Sequence, residues 1–246
     1  MNSNLSSHEV AVQTKHFPEC KGVEPGPDLV FVYPSELASD AVSIANTLQS
    51  AILYLKEITG KDPTQELRSR VVIGYNRQCN DPTWSSREGN RIRLPWEKYL
   101  NKAKEPLDIC SHELVHPFFF VSPLHEINEF WGEGFCDFLR GPLKNFMGLD
   151  GKEWWQRKIK EAKNNKQDKG GNAAGQLILR ACEWSGGATD THQLIDNKSA
   201  IRDVVKRLFE RYRDHPMSEE FTPTEWITAQ ERKYHKGPFR TFGEDD

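Results

Sequence analysis

The sequence lacks several features that would assign it to a common class of protein. No apolar run approaches the roughly 18 residues that a membrane-spanning helix needs, so no membrane segment is predicted. Five cysteines stand at irregular spacings without a C-x-x-C pair, which argues against a disulfide framework and against a zinc ribbon. The formal net charge is only −3, so no excess of positive charge favours binding to nucleic acid or to an anionic membrane.

The same absences bear on the compartment. Residues 1–21 are polar and broken by charge, without the apolar stretch of a secretory signal peptide. Together with the cysteine pattern, this favours a cytoplasmic protein with reduced thiols. A secreted mature form whose leader is missing from this sequence stays open.

Apolar periodicity predicts strands early in the chain. Residues 29–33 and 71–73 are short apolar runs typical of buried strands. Residues 91–94 alternate polar and apolar side chains, as a half-exposed edge strand does. Between the first two runs, apolar residues recur at intervals of three and four from Leu37 to Leu55, which predicts a helix with one buried face.

Helical patterns dominate the rest of the chain. A helix over 127–140 is expected to end at Gly141-Pro142. Strands before residue 95 and helices after it indicate an α+β fold rather than a repeating βαβ pattern. Further helices are predicted near 152–162, 173–184, 198–213 and 223–233.

Residues 112–116 read His-Glu-Leu-Val-His, the H-E-x-x-H pattern of zinc hydrolases. Residues four apart lie on one face of a helix, so the imidazoles of His112 and His116 can bind one Zn²⁺. Glu113 can then take a proton from a metal-bound water as general base. With 8 histidines in 246 residues, chance predicts roughly 0.02 such patterns. Pro117 follows at once, which predicts a lost helical hydrogen bond and a kink.

A catalytic zinc site needs a third protein ligand, for which Glu133 is the first candidate. Glu133 lies 17 positions after His116, which allows the chain to turn and bring a second helix back to the metal. Asp137 lies one turn further on the same face, where it can accept the ring N–H of a zinc-bound histidine. Other third ligands stay open, namely His125, Glu126, Glu129 and the thiolates of Cys110 and Cys136.

An H-E-x-x-H followed by W-x-E-G-x-x-D on a second helix resembles the gluzincin branch of the zincin metallopeptidases, which includes thermolysin and the zinc aminopeptidases. The resemblance covers about residues 28–141. It implies that zinc is bound by three residues, that a glutamate acts as general base and that an aspartate supports a metal-bound histidine. In this sequence the zinc ligands would be His112, His116 and Glu133. The general base would be Glu113, and the supporting aspartate would be Asp137.

The resemblance also implies a zincin-like catalytic domain, which we place over residues 28–246. Residues 1–27, which end in Pro25-Gly26-Pro27, are predicted to form a flexible arm that precedes it. The upper part, about 28–120, would hold a small twisted sheet and the active-site helix. The lower part, about 121–246, would be mostly helical. The edge strand at 91–94 would border the cleft, where an extended peptide adds by backbone hydrogen bonds.

The expected function is zinc-dependent hydrolysis of peptide bonds in a peptide or protein substrate. Endopeptidase action is preferred because no Gly-rich exopeptidase stretch precedes His112. Two other functions stay open, a non-catalytic module that keeps the fold and a zinc hydrolase of a non-peptide amide or ester.

Gluzincins also supply a Tyr or His that stabilises the oxyanion. Four candidates for that role are not separable by sequence: His192, Tyr212, His215 and Tyr234.

Overall fold

The fold is known from a computed structural model. The structure describes residues 8–10, 20–76, 79–85, 90–95, 105–126, 129–163, 171–185 and 191–214. Chain contacts divide the protein into two compact units. The first is Met1–Val121 with Phe146–Leu149, and the second is Ser122–Asn145 with Asp150–Asp246. The first carries a sheet and the second consists mostly of helices, so the predicted α+β class is confirmed.

Among the described residues, six strands form one sheet in the first unit. They are β1 (His8–Val10), β2 (Cys20–Gly26), β3 (Leu29–Pro34), β4 (Val71–Asn76), β5 (Thr83–Ser85) and β6 (Arg91–Pro95). Their order in the sheet is β1-β2-β3-β4-β6-β5. The central pairs, β3 with β4 and β4 with β6, are parallel, and the other pairs are antiparallel.

Helix α1 (Ala41–Thr59) packs on β2 and β3. Its apolar residues recur at intervals of three and four, and the predicted buried face is confirmed. Gly60 ends the helix in the left-handed conformation, with φ of 64°, which glycine adopts without steric cost. Leu37 is buried as well, but it lies in the 3-10 turn Ser35–Leu37 that precedes α1. The residues of the buried face of α1 are each at most 4% exposed: Ala41, Ile44, Leu48, Ile52 and Leu55.

Strand β2 corrects part of the predicted arm. The prediction that residues 1–27 form a flexible arm is wrong for residues 20–26, which pair with β3, and for residues 8–10, which pair with β2. The Pro-Gly-Pro sequence hides this strand because Pro25 sits where the β2–β3 register shifts, and a bulge needs no ladder N–H. A Cβ at Gly26 would lie 2.8 Å from Gln49 Cδ of α1, so glycine permits the close approach of strand and helix.

A polar cluster ties α1 to the start of β3 and to the short helix α2 (Pro63–Glu66). Lys56 Nζ lies 2.7 Å from Asp28 Oδ1 and 2.9 Å from Asp62 Oδ2. Burial disfavours the charge of Asp62, but hydrogen bonds from Thr64 and Lys56 outweigh it and hold the pKa of this carboxyl below its usual 3.8. The stability added by this carboxylate is therefore present above pH 3.8 and lost as the pH falls through its lowered pKa.

At the end of the sheet opposite β1, the outermost described strand is β5 rather than β6. The prediction that 91–94 forms an edge strand is therefore wrong. β6 pairs with β4 on one side and with β5 on the other, where Trp84 faces Ile92. Three residues after Pro82 are too few for an alternating pattern to be recognised, so the sequence does not reveal β5.

Helices α3 (Glu105–Glu113) and α4 (Val115–Phe120) follow the sheet, and both contact α1. The α-helices described in the second unit are α5 (Glu129–Phe146, whose last residue falls in the first unit), α6 (Gly151–Lys163), α7 (Gly171–Trp184), α8 (Thr191–Asp196) and α9 (Lys198–Asp214). The helices predicted near 152–162, 173–184 and 198–213 are thus present. The one predicted at 223–233 lies outside the described residues. In the described part of the chain, no helix is long and apolar enough to cross a membrane.

Helix α5 continues through Gly141-Pro142 to Phe146, so the predicted end at residue 140 is wrong. Pro142 has no N–H for the carbonyl of Phe138, four residues earlier. The indole Nε1–H of Trp155, from α6, donates to this carbonyl instead at 2.9 Å. Gly141 makes room for the indole, since a Cβ there would lie 2.1 Å from Trp155 Nε1. A tertiary contact that sequence periodicity does not register thus replaces the lost backbone bond.

Trp155→Phe is expected to lower the free energy of unfolding by about 1–3 kcal/mol, because the buried Phe138 carbonyl loses its donor. Pro142→Ala supplies a backbone N–H to the same carbonyl. The loss caused by Trp155→Phe should therefore shrink by about 1 kcal/mol in the Pro142→Ala background. Urea unfolding of the four proteins measures this. Equal losses in both backgrounds would contradict the proposed compensation.

Candidate metal centre

The H-E-x-x-H residues lie at the junction of α3 and α4. The two middle residues, Leu114 and Val115, are fully buried. His112 and His116 are half-buried on the other side of the helical turn, while Glu113 is only 7% exposed. The apolar pair thus fixes the helix in the core of the first unit and leaves the two imidazoles partly accessible.

The three polar residues of the motif converge. One ligand atom each from His112, Glu113 and His116 lies within 4.8 Å of the other two. The two imidazole centroids are 5.0 Å apart with ring planes at 75°, so the rings meet edge to face rather than stacking on one another. Glu113 Oε2 lies 3.9 Å from His116 Nε2. Within the residues that the structure describes, this is the group that can hold a metal ion.

The donor set fits a divalent transition metal. Two imidazole nitrogens with a nearby carboxylate suit ions of intermediate softness, such as Zn²⁺, better than Mg²⁺ or Ca²⁺, which prefer oxygen ligands. Imidazole also suits copper, iron and nickel. The geometry therefore shows a group that could hold a metal ion, and the motif resemblance is what favours zinc.

Pro117 shapes the backbone beside the motif. Because it has no N–H, the carbonyl of Glu113 cannot receive the usual bond from residue 117. Regular helix ends at Glu113 and resumes at Val115, and Leu114 between them keeps helical angles of −66° and −20°. The predicted loss of a hydrogen bond is thus seen as an interruption between α3 and α4, which still leaves both histidines in one cluster.

Aromatic rings from β5 and α4 border the cluster. Trp84 lies parallel to the His116 imidazole, with ring planes at 4° and centroids 6.2 Å apart. It also contacts Phe120 at 5.4 Å between centroids, and Phe120 is 40% exposed. The outermost described strand therefore lies beside a motif histidine, a proximity that no sequence pattern indicates.

Cys110 shows no sign of being a thiolate ligand. Its side chain is fully buried in α3, and burial, followed by the charge of Glu113, raises the pKa of its thiol far above the usual value. It packs as a small apolar residue. Disulfide bonds join none of the cysteines whose side chains the structure describes, namely Cys79, Cys110, Cys136 and Cys182.

Glu133 and Asp137 lie one turn apart on α5, in the second unit, and both are half-buried. Asp137 has cationic neighbours there, with its Oδ2 3.0 Å from Lys158 Nζ and its Oδ1 4.0 Å from Arg140 Nη1. Gly134, between the two acids, lets α5 approach α7 closely, since a Cβ there would lie 2.6 Å from the Ala173 Cβ. The roles of Glu133 as third ligand and of Asp137 as support stay predictions.

The remaining candidates have the following positions. His125 is exposed in a 3-10 turn, with its Nδ1 2.9 Å from the Ser122 carbonyl oxygen. Glu126 and Glu129 have side chains outside the described residues. Among the oxyanion candidates, His192 is exposed on α8 and Tyr212 is buried on α9, whereas His215 and Tyr234 lie outside the described residues.

Three of the aromatic residues around the motifs belong to the core, since Phe118, Phe135 and Phe138 are each at most 1% exposed. Phe119 is half-buried, and Phe120 remains exposed beside Trp84. The side chains of Phe130 and Trp131 lie outside the described residues.

The site can be compared with known proteins only through its motif. The chain matches no family model, no curated protein and no solved structure.

Proposed function

We propose that this protein is a zinc-dependent hydrolase that cleaves peptide bonds. The observation that carries the proposal is the convergence of His112, Glu113 and His116 within 4.8 Å on a helix fixed in the core. Two imidazoles with an adjacent buried carboxylate combine a metal-binding pair with a proton acceptor, which is what metal-assisted hydrolysis requires.

The third ligand in this proposal is Glu133. Two imidazoles leave a zinc ion short of the three protein ligands that catalytic sites use. Glu133 is half-buried on a regular helix, which would hold a ligating carboxylate in a defined position. We assign Asp137 to the support of a ligating histidine, a role in which its carboxylate would be shared with Lys158.

Glu113 is the proton carrier of the reaction. A bound zinc ion supplies a Lewis acid that lowers the pKa of a water molecule and polarises the scissile carbonyl. Glu113 accepts a proton from the attacking water and passes it to the amine that leaves. Its burial serves this role, because a carboxylate shielded from bulk water interacts more strongly with the charges beside it.

Strand β5 is the surface that we propose for an extended substrate. It is the outermost described strand on its side of the sheet, and its Trp84 contacts a motif histidine. A peptide that adds to this strand by backbone hydrogen bonds would bring its scissile bond toward the metal. Addition along a strand requires no free terminus, which supports endopeptidase action.

Removal and return of the metal tests this function. The purified protein is expected to contain one zinc ion per chain and to cleave a peptide library, to lose cleavage on treatment with a chelator, and to regain it when zinc is added back. Mass spectrometry of the products identifies the cleaved bonds and separates internal from terminal cleavage.

Other outcomes would contradict the proposal in different ways. Bound zinc without cleavage of any peptide would favour a non-catalytic module. Cleavage of amide or ester reporters, with intact peptides, would favour a hydrolase of non-peptide substrates. Peptide cleavage that survives complete removal of the metal would exclude the metal from the reaction.

A further inference from the structure

Trp84 has the geometry of a residue that orients a metal ligand. Its indole lies parallel to the His116 imidazole, at 4° and 6.2 Å between centroids, which is an offset-stacked arrangement. His112, in contrast, meets His116 at 75°. The flat indole therefore lies along one face of the His116 imidazole, where it restricts rotation of that ring.

The indole is itself held by the sheet. Trp84 Nε1–H donates to Asn90 Oδ1 at 2.9 Å, and the Asn90 Nδ2–H donates to the Ser69 carbonyl at 3.3 Å. Asn90 is 1% exposed and adopts φ of 58°, a conformation that asparagine tolerates better than most residues. Ladder pairing sets Trp84 opposite Ile92. A chain of contacts thus runs from the sheet through Asn90 and Trp84 to His116.

The plane of an imidazole decides whether it can bind a metal, because the lone pair of a ring nitrogen lies in that plane. A ring held in one plane before the metal arrives loses less conformational freedom on binding. We infer that Trp84 is a positioning residue that sets the ring plane of His116 and so strengthens metal binding. This inference rests on the proposed function, in which His116 is a zinc ligand.

Zinc affinity measured by competition with a chromophoric chelator tests the inference without relying on activity. Trp84→Leu removes the flat ring and is expected to weaken zinc binding by about tenfold or more, the scale of effect seen for residues that orient metal ligands. Trp84→Phe keeps a flat ring and should restore most of the affinity. Trp184→Phe, on α7 in the second unit, is the matched control and should leave the affinity unchanged.

Two further measurements distinguish a positioning role of Trp84 from a purely structural one. The thermal midpoint of the metal-free protein should differ little between Trp84→Leu and Trp84→Phe, while their zinc affinities differ. Asn90→Gly keeps the backbone conformation and removes the indole's acceptor. It is expected to weaken zinc binding less than Trp84→Leu does. It also tests the inference if Trp84→Leu does not fold.

Equal zinc affinity in the wild type and in Trp84→Leu, with peptide cleavage intact, would overturn the positioning role and leave the proposed function standing. Equal losses in Trp84→Phe and Trp84→Leu would also overturn it, because the flat ring would then not matter. A wild-type protein that binds no zinc would overturn the proposed function, and the positioning role with it.

Discussion

Glu113→Gln is expected to lower the rate of peptide hydrolysis by about 10²–10⁴-fold, the usual contribution of a general base. An amide of the same shape cannot accept the proton of the attacking water. The variant should keep its zinc, because both imidazoles remain and the buried position accepts an isosteric side chain. Steady-state kinetics on one cleaved peptide, with zinc content measured on the same samples, gives both quantities.

The matched control is Glu57→Gln, which makes the same chemical change on an exposed residue of α1 in the same unit. It should leave both activity and zinc content unchanged. Full activity of Glu113→Gln would remove Glu113 from the reaction. Loss of zinc in that variant would instead make Glu113 a metal ligand. The separation of 3.9 Å between Glu113 Oε2 and His116 Nε2 is compatible with that role.

His112→Ala and His116→Ala are each expected to abolish stoichiometric zinc binding, and with it peptide cleavage. Each variant removes one of the two imidazoles that converge in the first unit. Zinc at about 100 times its dissociation constant stabilises a protein by about 2.7 kcal/mol. The rise in thermal midpoint on adding zinc to the wild type should therefore disappear in both variants.

Glu133→Ala and His125→Ala form the pair that decides the third ligand. Glu133→Ala should lose zinc-induced stabilisation as the histidine variants do, and His125→Ala should keep it. The reverse pattern would move the third ligand to His125. Undiminished stabilisation of His112→Ala or His116→Ala would contradict the motif as a metal site altogether.

Local patterns of the sequence are enough to predict the core of the first unit and part of the site. Apolar spacing identifies the buried face of α1, and short apolar runs locate β3 and β4. The H-E-x-x-H spacing brings His112 and His116 into one cluster because both lie on one side of a single helical turn. Each of these predictions depends on neighbours within a few residues, which sequence periodicity records.

The errors have a common cause, which is a contact made by residues distant in sequence. Pro25 looks like a strand breaker until the bulge beside β3 accommodates it. Pro142 looks like a helix end until Trp155 supplies the missing donor. Trp84 carries no motif at all, and its place beside His116 follows only from the pairing of β5 with β6. Sequence patterns register the local preference and not the tertiary partner that overrides it.

Anomalous diffraction at the zinc absorption edge from crystals of the wild-type protein tests the central claim most directly. We expect a single strong peak bonded to nitrogen atoms of His112 and His116 and to a carboxylate oxygen of Glu133, each at about 2.0–2.2 Å. A zinc peak held elsewhere, or no peak at the histidine pair in a zinc-loaded crystal, would contradict the metal centre and the hydrolase proposed from it.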